Sequence, residues 1–203
     1  MKKTFIAVLT ACIILTSGPA YSGNLNTCIK ANVVIHNMTT VRTGSGVHIK
    51  IENYSYILTC NHLMKKKTDE LFIIVKKELF PLILIKKNKM FDLALYSFSQ
   101  DLAETMDYSE ISNREPMVGD ETTVIGNTWG IIVGDASEGE IMFYYKYKLL
   151  MSNFTRPGCS GGGIYVDYKL IGILTHGVKK LVDGKIIFYS KGPNLYALRL
   201  FLR

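Results

Sequence analysis

Residues 157–163 read Pro157-Gly158-Cys159-Ser160-Gly161-Gly162-Gly163, and the reading of this stretch decides the fold. Two adjacent side chains, Cys159 and Ser160, can act as nucleophiles. The glycines around them tolerate positive φ and leave no Cβ in the way. Read as a glycine-rich turn, the stretch carries no chemistry. Read as a nucleophile turn, it needs a base, a group that orients the base, and amide donors for an oxyanion. Ser160 is then the nucleophile, and the backbone N–H groups of Gly158 and Ser160 are the oxyanion donors.

Elsewhere the chain offers the missing parts. His62 follows an apolar run, YSYILTC (residues 54–60), and Asp92 stands inside FDLALYSF (91–98). A lone carboxylate buried among apolar side chains is costly. Pairing with an imidazole removes that cost and fixes the imidazole tautomer. The chain order is His, Asp, Ser, one of several orders known for this geometry.

The surrounding pattern is mostly strand. NVVIHN (32–37), SGVHIKI (45–51), YSYILTC (54–60), LFIIVKK (71–77), FPLILIKK (80–87) and FDLALYSF (91–98) make up the first half. ETTVIGN (121–127), GIIVGDAS (130–137), IMFYYKYKLLMSNF (141–154), IYVDYKLIGILTHG (164–177) and KIIFYSKG (185–192) follow. Between the halves lies a polar stretch broken at Pro116 and Gly119. The tail PNLYALRLFLR reads as a short C-terminal helix opened by Pro193, with Leu195, Leu198 and Leu202 on one face. No βαβ unit and no repeat is visible, so the class is all-β.

Composition excludes several functions. The chain has 203 residues, 48% hydrophobic and 20% charged, with a formal net charge of +7. That composition fits a packed core. The positive charge gathers at 65–67, 76–77 and 86–89 beside apolar strands, where it guards against aggregation. No aromatic residues interleave with it, so nucleic acid is not an expected partner. No glycine-rich phosphate loop and no CxxC occur, and no metal or organic cofactor is expected.

Residues 1–20 read as an export signal: Lys2 and Lys3, an apolar run, then small residues allowing cleavage after Ala20. LTAC (9–12) resembles a bacterial lipobox that would put a lipid on Cys12. It comes after only a handful of apolar residues, and ordinary cleavage is the preferred reading. The expected location is secreted or periplasmic, with no membrane span after processing. Cys28, Cys60 and Cys159 then remain, an odd number.

Taken together, these segments resemble the trypsin-like, chymotrypsin-fold serine peptidases. The closest likeness is to the bacterial branch of HtrA/Deg proteases and the staphylococcal glutamyl endopeptidase. The strand ending T-x-x-H is Thr59-Cys60-Asn61-His62. The preceding Gly-Ser-Gly strand is Gly44-Ser45-Gly46-Val47. The element carrying the acid is Asp92-Leu93-Ala94-Leu95. Val118-Gly119-Asp120 leads to Val124-Ile125-Gly126-Asn127, and the last motif is Ile171-Gly172-Ile173. His62 and Asp92 lie 30 residues apart, and Asp92 and Ser160 lie 68 apart.

The resemblance implies two six-stranded antiparallel β-barrels with the active site between them. It divides residues 21–203 into a first lobe at about 30–100, a linker at about 100–117, a second lobe at about 118–192 and a tail at 193–203. It implies a serine endopeptidase acting on protein or peptide substrates through His62, Asp92 and Ser160, without a following PDZ domain. In this family the residue directly before the glycine pair is the nucleophile, which selects Ser160 over Cys159. The pocket for the residue N-terminal to the cut would use Phe154, Thr155, Leu174, Thr175, His176 and Gly177. With no acid among them, a preference for Lys or Arg is not expected. Phe154 and Leu174 favour an apolar side chain; His176, if it reaches the pocket, admits an acid or amide. Cys60 and Cys159 depart from the family pattern. Either they form a disulfide bracing the site or they are two buried thiols. The rival reading is a catalytically inactive fold serving as a protein-binding module.

Overall fold

Residues alternating between two faces build two antiparallel sheets. The computed structural model describes residues 23–66, 68–182 and 185–203; the export signal and Cys12 lie outside the described residues. The first sheet holds β1 (Asn32–Asn37), β2 (Arg42–Ile51), β3 (Tyr54–Cys60), β4 (Leu71–Val75), β5 (Glu78–Pro81), β6 (Ile83–Asn88) and β7 (Leu93–Ser97). Its order is β5-β4-β1-β2-β3-β7-β6. The second holds β8 (Glu121–Thr128), β9 (Ile132–Tyr145), β10 (Lys148–Met151), β11 (Gly163–Val166), β12 (Lys169–Ile173), β13 (His176–Val182) and β14 (Lys185–Pro193). Its order is β12-β11-β8-β9-β10-β14-β13.

Each sheet thus has seven strands, a correction to the six-stranded closed barrels that the resemblance implied. The reason is the same in both lobes: one run of sequence breaks as it crosses from one sheet edge to the other. In the first lobe β5 and β6 are the two edge strands, and Leu82 alone separates them. Pro81 has no N–H for a ladder, and the Leu82 N–H donates sideways to the Leu71 carbonyl (2.8 Å). In the second lobe the edge strands β12 and β13 are separated by Leu174 and Thr175.

Two-residue turns explain where other apolar runs end. Lys76 and Lys77 join β4 to β5 with φ of 50° and 71°, and Asp167 and Tyr168 join β11 to β12 with φ of 50° and 59°. These left-handed pairs match the twist of a hairpin, so LFIIVKK ends as a strand at Val75.

Helix α1 (Gly23–Ala31) precedes β1, and α2 (Gln100–Glu104) opens the polar stretch between the sheets, capped by Ser99. Beyond α2 the chain bridges the lobes, pairing Ser109 with Ile49 and Ile111 with Leu170. Helix α3 (Leu195–Leu202) starts after Pro193, not at it, because the Asn194 side chain accepts from the Ala197 N–H (3.0 Å). One core cluster spans the lobes: Val47, Leu58 and Leu93 of the first sheet, Ile125, Tyr165 and Ile173 of the second, Leu25 of α1 and Leu198 of α3. Each lobe also has its own cluster. The nucleophile turn lies between β10 and β11, against the first sheet. No described helix is long and apolar enough to cross a membrane.

Candidate active site

His62 and Asp92 are brought together by the ends of β3 and β7. After Cys60 the chain leaves β3 through a 3₁₀ turn, Asn61–Leu63. Asp92, just before β7, adopts φ of 55°, an uncommon conformation for a residue other than glycine. Its carbonyl accepts from the Asn61 N–H (3.0 Å), one carboxylate oxygen accepts from the His62 N–H (2.9 Å), and the other meets His62 Nδ1 at 2.7 Å. Asp92 therefore grips both the backbone and the ring. The proton on Nδ1 faces a carboxylate, so Nε2 carries a lone pair.

The nucleophile turn is held by the other lobe. Ser45 of β2 is fully buried. Its hydroxyl donates to the Gly158 carbonyl (2.8 Å) and accepts from the Asn127 N–H (2.7 Å). Its N–H donates to the Ser160 carbonyl (2.7 Å), and its own carbonyl accepts from the Thr59 hydroxyl (2.6 Å). Gly161 fits this clasp because it has no side chain. Its φ is 91°, and a Cβ there would lie 2.0 Å from the Ser45 carbonyl oxygen. At Gly158, φ 98°, a Cβ would lie 2.5 Å from the Asn127 carbonyl oxygen and from the Trp129 nitrogen.

The turn sorts its own amides. Cys159 donates to the Arg156 carbonyl (3.2 Å), Gly161 to Leu174 (2.7 Å) and Gly162 to Cys159 (2.9 Å). Among the described hydrogen bonds, the N–H groups of Gly158 and Ser160 donate to no protein acceptor. These are the two that an oxyanion would need.

Ser160 shares one groove of about 460 Å³ with His62, Thr155, Arg156, Pro157, Thr175, His176, Gly177, Val178, Lys179, Phe188 and Tyr189. Its hydroxyl donates to the Thr175 carbonyl (3.2 Å) and not to His62. The contact at His62 Nε2 is the Cys60 thiol, 3.5 Å away. The geometry thus joins His62 to Asp92 and sets Ser160 in the groove that His62 lines, with the serine–histidine bond unmade.

The cysteines follow the second of their two readings. Cys28, Cys60 and Cys159 are all free and buried, so the Cys60–Cys159 disulfide is not formed. Cys60 packs in the first lobe's core, while Cys159 packs in the second lobe's core and touches the Thr128 hydroxyl (3.3 Å). Their side chains point into different cores. Burial, with the Asp92 charge, pushes the Cys60 thiol pKa far up. Cys60 is a neutral thiol rather than a nucleophile.

Of the expected pocket residues, Thr155, Thr175, His176 and Gly177 line the groove. Leu174 does not: it is buried in the second lobe's core, because its backbone is tied down by Gly161 and Gly162 while its side chain turns inward. Phe154 does not either. It sits outside, edge-on to Phe188 (4.8 Å between centroids) with Arg156 over its face. The sequence reading missed the groove residues Arg156, Lys179 and Tyr189: β13, which carries Lys179, has no strand signal of its own, and nothing local shows that Arg156 and Tyr189 of β14 face the groove. It also gave Ser45 no role, although the Gly-Ser-Gly motif marked the position.

His176 lies beside His62, with ring centroids 5.3 Å apart. Its pKa is lowered by burial first, then by His62 and Lys191, with Asp92 opposing.

Residues 44–173 match the family model for the trypsin-like peptidase domain, and the chain belongs to that family. Among solved structures it is similar to the serine endoprotease from Yersinia pestis, at 22% identity and a TM-score of 0.71. That match covers 88% of this chain and 65% of the other, so the chain spans about two thirds of its relative's length. It is also similar to the Rv3671c protease in an inactive form, at 12% identity and a TM-score of 0.69, covering 89% of this chain and 91% of the other. At these identities the likeness is one of fold. No curated protein matches the sequence closely enough to count as a relative.

Proposed function

We propose that the protein is a serine endopeptidase of the bacterial HtrA/Deg and glutamyl-endopeptidase-like branch, working through Ser160, His62 and Asp92. The observation that carries this reading is the Asp92–His62 clasp, whose His62 lines one groove with Ser160, on a turn whose Gly158 and Ser160 amides are unengaged among the described hydrogen bonds. Trypsin-like family membership supports the hydrolytic class. Residues 21–203 act as the peptidase domain, exported after removal of residues 1–20.

In the free enzyme the Ser160 hydroxyl rests on the Thr175 carbonyl. A rotation about χ1 turns it toward His62 Nε2. His62 takes the proton as Ser160 Oγ bonds to the peptide carbonyl carbon. The oxyanion draws on the Gly158 and Ser160 amides. Asp92 stays ionised and stabilises the imidazolium. His62 then gives the proton to the departing amine, leaving an acyl-enzyme. Water, losing its proton to His62, releases the acid product and restores Ser160.

Arg156 (ion-paired with Asp135, 3.2 Å), Lys179 and His176 line the groove together with Thr155, and among the described residues no carboxylate does. This supports an acidic or amide side chain N-terminal to the cut. A peptide library profiled at that position tests it; cleavage after Lys or Arg would refute it.

A fluorophosphonate probe tests the mechanism. Wild type and Cys159→Ala should label, and Ser160→Ala should not. Labelling that survives Ser160→Ala would refute Ser160 as nucleophile. A wild type that never labels would favour the protein-binding module.

A further inference from the structure

Two imidazoles meet beside the nucleophile, and hydrogen bonding fixes both in the same state. The His62 Nδ1 proton faces Asp92 at 2.7 Å. The His176 Nδ1 proton faces the Thr175 hydroxyl oxygen at 3.0 Å, and that hydroxyl's own proton goes to the Lys191 carbonyl (3.1 Å). With that proton so placed, Thr175 accepts from His176 Nδ1, and in the neutral ring a lone pair is left on His176 Nε2, as on His62 Nε2. The two rings are tilted by 38° with centroids 5.3 Å apart. One ligand atom from each of His62, Asp92 and His176 lies within 4.8 Å of the others. Serine-peptidase chemistry requires only the first of these imidazoles.

We infer that this histidine pair is a binding site for one divalent transition-metal ion of the zinc type, and that the ion switches the peptidase off. The switching rests on the proposed peptidase function; the metal site rests on the side chains alone. Neutral imidazole is a preferred zinc ligand. A metal-bound histidine usually donates its second N–H to a carboxylate, which is the arrangement of His62 with Asp92. Two nitrogens on one tetrahedral zinc stand about 3.3 Å apart. Ligand atoms of the two rings already lie within 4.8 Å of one another, and the exposed His176 ring can turn to close that spacing. Asp92 supplies the negative charge that offsets Lys191. Water or the Ser160 hydroxyl completes the open positions. Cys60 packs in the first lobe's core and is not counted among the ligands; the cobalt spectrum tests that. Coordination uses the Nε2 lone pair of His62, so that nitrogen no longer accepts the Ser160 proton.

Chelator-treated Ser160→Ala protein, titrated with zinc by calorimetry and with cobalt(II) by absorption, reads the site without peptidase activity. One ion per chain is expected, with visible tetrahedral-type cobalt d–d bands and no intense thiolate charge-transfer band. Adding His176→Ala, or separately His176→Gln, should weaken binding by more than about tenfold, with circular dichroism unchanged. In the wild type, zinc should slow fluorophosphonate labelling and a chelator should restore it. In His176→Ala the ratio of rates with and without zinc should approach one, whatever the basal rate. No stoichiometric binding, binding indifferent to His176, or a thiolate band would overturn the site. Binding without slowed labelling would overturn the switch. A wild type that binds metal and never labels would refute the peptidase reading and leave the metal site standing.

Discussion

The two lobes bring different things to the groove. The first delivers a finished unit: His62 and Asp92 are already joined, twice, by the ends of neighbouring strands. The second delivers Ser160 on a turn that its own sheet does not fully hold. Ser45 and Thr59 of the first sheet clasp that turn, and the serine hydroxyl rests on Thr175. The broken edge strands differ in the same way. In the first lobe the break at Leu82 falls outside the groove. In the second it falls at Leu174–Thr175, where backbone groups bind Gly161, Gly162 and Ser160. One lobe is a platform, and the other has its seam built into the site.

The sharpest way to break this comparison is at the clasp. Gly161→Ala puts a Cβ 2.0 Å from the Ser45 oxygen at φ 91°. It should destabilise the protein by more than about 3 kcal/mol. Gly119→Ala, at φ 90° with nothing within 4 Å, should cost only about 1 kcal/mol. Equal losses in urea unfolding would show that the turn is not held between lobes.

Ser45→Ala keeps the backbone bonds but strips the Gly158 carbonyl and the Asn127 N–H of a buried partner. A stability loss of about 1–3 kcal/mol is expected. Because Ser45 positions the oxyanion turn, kcat should fall by about tenfold or more while KM moves little. A change confined to KM would contradict the positioning role, and Ser45→Thr should recover part of kcat.

Cys159→Ala, confined to the second lobe's core, should cost about 1 kcal/mol and leave probe labelling intact, as separate thiols require. The smallest effect belongs to the first lobe alone. His48 is buried, its Nδ1 on the Asp107 carbonyl, and burial lowers its pKa. The unfolded chain therefore binds that proton more readily. The resulting stability is present above about pH 6.5 and is lost as the pH falls below it. Melting curves at neutral and mildly acidic pH should show a drop that shrinks in His48→Gln; an unchanged drop would place the sensitivity elsewhere.

Much of this was legible in the residues. Apolar alternation marked most strands, and β1 and β3 begin and end where the alternation does. His62, Asp92 and Ser160 stood out because a strand-end imidazole, an acid in an apolar run and a nucleophile among glycines are unusual placements. Turns made by Lys76-Lys77 and Asp167-Tyr168 left no mark, since neither pair contains the glycine or asparagine that usually advertises positive φ. Helix α1 was missed because its apolar stripe, Leu25, Cys28 and Ile29, is too short to stand out in a polar stretch.

The sequence by itself determined the all-β class, the trio of chemical groups and their order, because alternation and glycine placement are local properties. Only the tertiary structure decided that each sheet has seven strands, that Leu174 and Phe154 leave the groove, that Cys60 and Cys159 stay apart, and that His176 stands against His62. Each of those depends on which way a side chain turns once distant strands meet, and the direction is fixed by partners far away in the chain.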